Sequence, residues 1–318
     1  MRVLAAVDRS AYSSYALDCL KRMPCHGEVD LSLVTVSPRV PEYDLSGTMF
    51  AMDAASVMQR EIEAIRESLN AMAAFARNEF RSIETLSPIG PPGHEIVRLA
   101  REKRVDLVLM GATGHSALAR VLLGSVSDYV ATHADCSTLV VRPQGNQVPD
   151  PNIASPAPSR VLIAISNAEN DVDLTSWITR FGLSSTTTEI HLIYVEQILH
   201  FYDQELFHQA SKYREDLRPI AIESIEKIKA ELQSKGFTTH SKTIESNHIG
   251  HGILEYAEQQ KCDLIITGDQ RETLIQRLFL GSNSRHVLRH AHCSVLISRT
   301  SVDVSAAAGD QADKVTRG

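Results

Sequence analysis

The sequence predicts an α/β protein built as two tandem, open, doubly wound parallel-sheet domains of five parallel strands each. Three observations carry this. The chain repeats itself, its short apolar runs are continuous rather than alternating, and those runs alternate with segments of helical period. The repeat is read directly. RVLAAV (2–7) matches RVLIAI (160–165), and VDLVLMG (105–111) matches CDLIITG (262–268). LLGSVSDYVATHADCSTLVVR (122–142) matches FLGSNSRHVLRHAHCSVLISR (279–299) at an offset of 157. The 318 residues therefore divide into a first copy (1–142), a linker (143–159), a second copy (160–299) and a tail (300–318). Five prolines deny the linker both helix and packed strand. The tail has no periodicity and is expected to be disordered.

In the first copy, 3–7 and 31–36 are short, aliphatic and bounded by polar residues, as strands buried on both faces of a parallel sheet are. Between them, residues 10–23 open with cap residues and continue at helical spacing. Met58, Ile62, Ile65, Leu69, Met72 and Phe75 recur at steps of three and four, the apolar stripe of a long helix over 52–80. A short strand near Ile83–Leu86, a Pro/Gly loop (87–93), a helix over 94–103 and a strand at 105–110 follow. A helix after Gly124 and a strand at 138–142 close the copy. The second copy repeats the order, with strands at 161–165, 190–195, 263–267 and 295–299 and a long helix near 215–235. Such alternation implies helices on both faces of the sheet. The closing strands, TLVVR and SVLISR, are aliphatic and each is expected at a sheet edge, where an unpaired strand invites another. The copies are therefore expected to pack through them as an internal pseudo-dimer. A further homo-oligomer and an unknown protein partner are left open.

Composition narrows the function. Hydrophobic residues at 43% and charged residues at 22% suit a folded chain with real cores. A net charge of −7 gives no general attraction to nucleic acid or an anionic membrane, so neither is expected as a partner. No apolar run approaches the ~20 residues of a membrane span. Asp8 comes too early for a signal-peptide core. Five widely spaced cysteines without C-x-x-C fit a reduced, cytoplasmic protein with neither disulfide nor structural zinc.

In open parallel sheets ligands sit beyond the carboxyl ends of strands. That directs attention to Asp8, to the segment after Val36 and to the glycines after Met110. The last form Gly111-Ala112-Thr113-Gly114, nine residues, then Gly124-Ser125-Val126-Ser127: G-x2-G-x9-G-S. Glycines directly after a strand allow close backbone approach to a ligand. Gly124 and Ser125 begin a helix, whose free N–H groups and positive dipole end suit phosphate. Ser125 and Ser127 add hydroxyls, and Arg120 a charge. Taken singly, the glycines read as turn residues and Ser125 as a cap; taken together in a strand–loop–helix context, they favour phosphate. Asp8 has two readings, a cap for the following helix shared with Ser10, or an acceptor for a ribose hydroxyl or adenine amine.

With this loop and the strand-end Asp8 in AAVDRS, the chain resembles a tandem universal stress protein of the UspA family, over both copies. The resemblance implies a fold like that of adenine-nucleotide hydrolases, ATP as ligand (with or without Mg), and a regulatory role under stress. By position it implies that Ala6, Asp8 and Val36 line the adenine and ribose region. Met110, Gly111, Gly114, Gly124, Ser125 and Val126 would hold ribose and phosphates. Thr113 stands where the family often has a basic residue, and His115 follows the loop. In the second copy Ser166 replaces the aspartate and Arg271 the second glycine, while Asp269 adds a carboxylate that would repel phosphate. Gly268, Gly281, Ser282 and Ser284 survive as a degenerate second site, expected to bind nucleotide weakly, differently or not at all.

No hydrolase or metalloprotease motif and no Cys/His cluster is present. His286, His290 and His292 flank a helix end without a third-ligand pattern. No catalytic residue is assigned, and any ATP turnover is expected to be slow. The alternative is a nucleotide-independent interaction scaffold.

Overall fold

The computed structural model describes residues 1–37, 49–114, 123–143, 149, 156–165, 172–198, 204–269 and 280–299. The first copy runs β1 (Arg2–Ala6), α1 (Ala11–Arg22), β2 (Asp30–Val34), α2 (Met49–Ala76), β3 (Ser82–Leu86), α3 (Pro92–Glu102), β4 (Leu107–Gly111), α4 (Ser125–His133) and β5 (Ser137–Val141). The second runs β6 (Arg160–Ile165), α5 (Val172–Arg180), β7 (Glu189–Gln197), α6 (Gln204–Ser234), β8 (Thr238–Ser246), α7 (Ile249–Gln259), β9 (Leu264–Gly268), α8 (Ser282–His290) and β10 (Ser294–Ser298). Most of the linker and all of the tail lie outside the described residues.

Each copy contributes five parallel strands, in the order β3-β2-β1-β4-β5 and its counterpart β8-β7-β6-β9-β10. The order reverses between β1 and β4, which places the crevice beyond Ala6 and Gly111. Continuous apolar runs become strands covered on both faces: every residue of β4, β5 and β10 is buried save none. Val3, Ala5 and Val7 pack with α1, α2, α5 and α6 on one face of the sheet. Leu4, Val108 and Met110 pack with α3, α4, α7 and α8 on the other. Both cores run through both copies, as doubly wound sheets joined edge to edge require.

The expected pseudo-dimer forms through β5 and β10. They pair antiparallel, with Val295 opposite Val140, Leu296 opposite Leu139 and Ile297 opposite Thr138, making one ten-stranded sheet. Polar bonds cross the junction as pseudo-dyad mates. The Ser294 hydroxyl accepts from Arg142 N (3.2 Å), and Ser137 does the same for Arg299 N (2.8 Å). Arg142 Nη2 donates to Leu288 O (2.7 Å), and Arg299 Nη2 donates to Ala131 O, the same position 157 residues earlier.

Three details depart from expectation. β8, TTHSKTIES, carries mostly polar side chains with one residue buried, because it lies on an outer edge; no continuous apolar run announces it. α2 ends at Ala76 rather than near 80, and a turn follows. Phe75, on the expected apolar stripe, is 81% exposed beneath the Lys21 ammonium (4.3 Å), while Ile62, Ile65 and Leu69 are buried.

The junction is testable at its centre. Leu296 faces Leu139 in register and both are fully buried. Leu296→Ala is expected to cost about 3 kcal/mol of unfolding free energy in urea titration, and a loss below about 1 kcal/mol would show that the junction packs loosely.

Candidate functional site

The site is assembled by close approach of two strand ends. α1 packs so tightly on the end of β4 that a Cβ on Gly111 would lie 2.9 Å from Tyr12 Cβ and 3.0 Å from its backbone carbonyl. A side chain here would lever the helix away. One turn further, a Cβ on Gly114 would lie 2.5 Å from Asp8 Oδ2. A side chain at 114 would have to push the carboxylate aside.

The N-cap of α1 is Ser10, whose Oγ accepts from Ser13 N (3.3 Å), and it is held in place by Asp8. Asp8 Oδ1 accepts from Ser10 N (3.0 Å), Ser10 Oγ (2.5 Å) and Ser13 Oγ (2.5 Å), while Asp8 N donates to Ser13 Oγ (2.9 Å). These bonds fix the carboxylate at the start of α1, where a Cβ at 114 would fall against its Oδ2. Ala6 and Val36 are half-buried at the adjoining strand ends, and Met110 is buried beneath the loop.

Across the loop, Gly124 N donates to Ala112 O (2.7 Å), and Gly124 caps α4 in an extended conformation without a side-chain cap bond. The first turn of α4 thus presents N–H groups, with Ser125 exposed and Val126 half-buried beside them. Ser127 does something else. Its buried hydroxyl donates to Gly111 O (2.9 Å) and stitches α4 to β4, so its proton is already committed within the protein. Thr113 Oγ1 is buried with no hydrogen-bond partner, a feature that spacing alone did not mark. His115 and Arg120 lie outside the described residues.

The Pro/Gly loop 87–93 is tied to the segment after β2 by an isolated bridge: Ser37 lies opposite Ile89, Ser37 N donates to Pro88 O (2.8 Å), and Gly90 N donates to Ser37 O (3.0 Å). Of the segment 37–47 that follows, only Ser37 is among the described residues.

The second copy keeps the stitch and changes the cradle. Ser284 Oγ donates to Gly268 O (2.7 Å), the counterpart of Ser127 to Gly111. Gly281 caps α8, and Ser282 is exposed. Asp269, however, does more than repel phosphate. Its side chain is fully buried, Oδ1 accepts from Gly281 N (3.2 Å), and Oδ2 accepts from Arg299 Nε (2.8 Å). A carboxylate of the chain itself sits at the start of α8. The matching position in the first copy is Ala112, and the arginine matching Arg299 is Arg142, whose Nη1 is buried with no partner. Burial pushes the Arg142 guanidinium down to about 10, still charged at neutral pH. Ser166 and Arg271 lie outside the described residues.

Among the described residues no group of three His, Cys, Asp or Glu side chains is placed to hold a metal ion. The histidines instead stack: His286 lies 4.3 Å from His290 and 4.5 Å from His248, centroid to centroid. All five cysteines are free thiols, and no described helix is long and apolar enough to cross a membrane.

Fold and loop together define a class: two doubly wound α/β units sharing a sheet, one with an intact glycine loop facing a strand-end aspartate. The universal stress protein family matches residues 1–142 and again 158–299, and the chain belongs to that family, in tandem form. Universal stress protein YxiE of Bacillus subtilis is 31% identical over 146 residues, covering 44% of this chain and 98% of its own. A crystal structure of a universal stress protein from Archaeoglobus fulgidus shares the fold at 19% identity and a TM-score of 0.62, covering 94% of this chain and 96% of that one. A universal stress protein solved in complex with cAMP is 25% identical, with a TM-score of 0.33, over 45% of this chain and 97% of its own.

Two expectations follow from the second copy. Asp269→Ala would strand the buried Arg299 and is expected to cost about 3–5 kcal/mol in chemical denaturation, whereas a near-neutral outcome would mean the pair is dispensable. The second concerns acid. Burial first, then the neighbouring His290, His248 and His251, hold the His286 pKa below 6.5. The unfolded chain therefore takes up this proton more readily, so stability is full above about 6.5 and declines as pH falls below it. Melting temperature should fall more steeply between about pH 6.5 and 5 than in His286→Tyr, which copies Tyr129 of the first copy. Equal slopes in the two proteins would remove His286 from the account.

Proposed function

We propose that the first copy binds ATP and that the chain is a nucleotide-responsive regulator of the stress response, the second copy serving as a structural and regulatory partner. The observation that carries this is the glycine at 114. A side chain there would collide with Asp8 Oδ2, so glycine lets the backbone after β4 lie directly against a fixed carboxylate, beside a helix start that Gly124 ties to Ala112 O. In this reading Asp8 accepts from a ribose hydroxyl or the adenine amine. Ala6, Val36 and Met110 line the base, and Gly111, Gly114, Gly124, Ser125 and Val126 hold ribose and phosphates. Any Mg2+ would accompany the phosphates. Ser127 supports the loop from beneath rather than donating to the ligand, because its hydroxyl is bonded to Gly111 O.

Nucleotide acts here as a ligand whose differential affinity shifts a conformational equilibrium, rather than as a substrate. The second copy favours the scaffold reading for its own half, since Asp269 already occupies the N–H of Gly281. Titration calorimetry tests the assignment. Wild-type chain should bind ATP, and Gly114→Arg, which imports the residue found at 271, should weaken binding at least about tenfold, or ~1.4 kcal/mol. Equal affinity in a folded Gly114→Arg protein would move the site elsewhere, and rapid steady-state ATP hydrolysis would replace the ligand reading with an enzymatic one.

A further inference from the structure

The interface between the copies carries a charge pattern that the fold alone does not require. Asp128 lies in the first turn of α4, its N–H bonded to Gly124 O (2.9 Å). A carboxylate there suits the helix dipole but opposes an anion arriving at the same helix start. Two arginines on α8 of the second copy answer it. Arg289 grips it as a fork, Nε to Oδ1 at 3.0 Å and Nη2 to Oδ2 at 2.9 Å. Arg285 Nη2 adds a third bond to Oδ2 at 3.1 Å. Burial alone would raise the Asp128 carboxyl, and the bonds from Arg289 and Arg285 outweigh it and hold it below its ordinary value. Two cations face one anion, so the start of α4 keeps a positive balance supplied by the other copy.

The pattern is directional. At the offset of 157, Asp128 corresponds to Arg285 and Thr132 to Arg289. Two first copies meeting through β5 would set Asp128 against Asp128, and two second copies would set Arg285 against Arg285. Only the mixed pairing neutralises these positions, which favours the two copies of one chain over like-with-like exchange. The second copy thus brings cations to the first copy's helix, while its own helix start is closed by Asp269. Arg299, which holds Asp269, also donates to Ala131 O and Cys136 O at the far end of α4. The second copy grips α4 at both ends.

We propose that Arg285 and Arg289 are positioning residues of the first copy's anion site: acting through Asp128, they set its affinity for the polyphosphate of a nucleotide. This rests on the ATP reading above and names what completes that site. The test uses the full chain in four forms: wild type, Arg285→Gln/Arg289→Gln, Arg289→Lys, and the triple variant that adds Asp128→Asn. Each is titrated with ATP and with adenosine at two salt concentrations, after a melt confirms folding. The double variant should lose about tenfold in ATP affinity, because two unit charges of sign opposite to the polyphosphate are removed, and its salt dependence should weaken. Adenosine binding should change less than about twofold, since it carries no charge. The triple variant, neutral where wild type keeps one positive charge and the double variant one negative, should recover about half of the loss on a logarithmic scale, and Arg289→Lys, which keeps the charge, should hold ATP affinity within about threefold. Unchanged ATP affinity in the folded double variant would overturn the proposal. So would equal losses for ATP and adenosine, which would mark a structural role. If wild-type chain binds adenosine but gains nothing from the phosphates, this inference fails while the adenine site stands. If it binds neither, both readings fall.

Discussion

The antiparallel pairing of β5 with β10 is the constraint on which the rest of the molecule depends. Each strand would be an apolar edge in an isolated domain, and here each is central and wholly buried. The pairing joins two five-stranded sheets into one and lets the core on each face continue through both copies. It also sets α4 and α8 side by side, so that side chains from one copy end on backbone carbonyls of the other. Replacing a solvent-facing edge with a buried ladder removes an aggregation hazard and buries apolar area in the same step.

Once the junction is fixed, small sequence differences between the copies become differences in local structure. Ala112 and Asp269 occupy matching positions. The carboxylate of Asp269 satisfies both Arg299 and the start of α8, so the second copy closes on itself. With alanine in that place, the first copy has no carboxylate at the start of α4, and Arg142 keeps one buried nitrogen without a partner. Gly114 and Asp8 complete the contrast, because their approach leaves no room for a side chain. The two copies thus differ at a few positions that lie at the same place in the fold, and the proposed division of roles rests on those differences.

Much of this was legible in the residues. Burial on both faces produces unbroken aliphatic runs, so the central strands were visible, as were the repeat and the pairing of the closing strands. β8 was not, because an edge strand keeps polar residues toward water and TTHSKTIES has no apolar signature. Phe75 continues a helical stripe in sequence but is exposed beneath Lys21, while the next residue, Ala76, takes the core position at the end of α2. The Gly/Ser spacing revealed the loop, yet which hydroxyls face outward depends on geometry, and Ser127 turned inward to Gly111. Charge pairing was the least legible. Asp128, Arg285 and Arg289 are brought together only by the fold, and no local pattern announces a partner more than 150 residues away.

The central claim is that two similar copies make one ligand site, in the first. Native mass spectrometry of the intact chain titrated with ATP measures this directly, because each bound nucleotide adds its own mass. The account predicts saturation at a single nucleotide per chain. A second adduct appearing at comparable ATP concentration, or none at any concentration that leaves the chain folded, would contradict it.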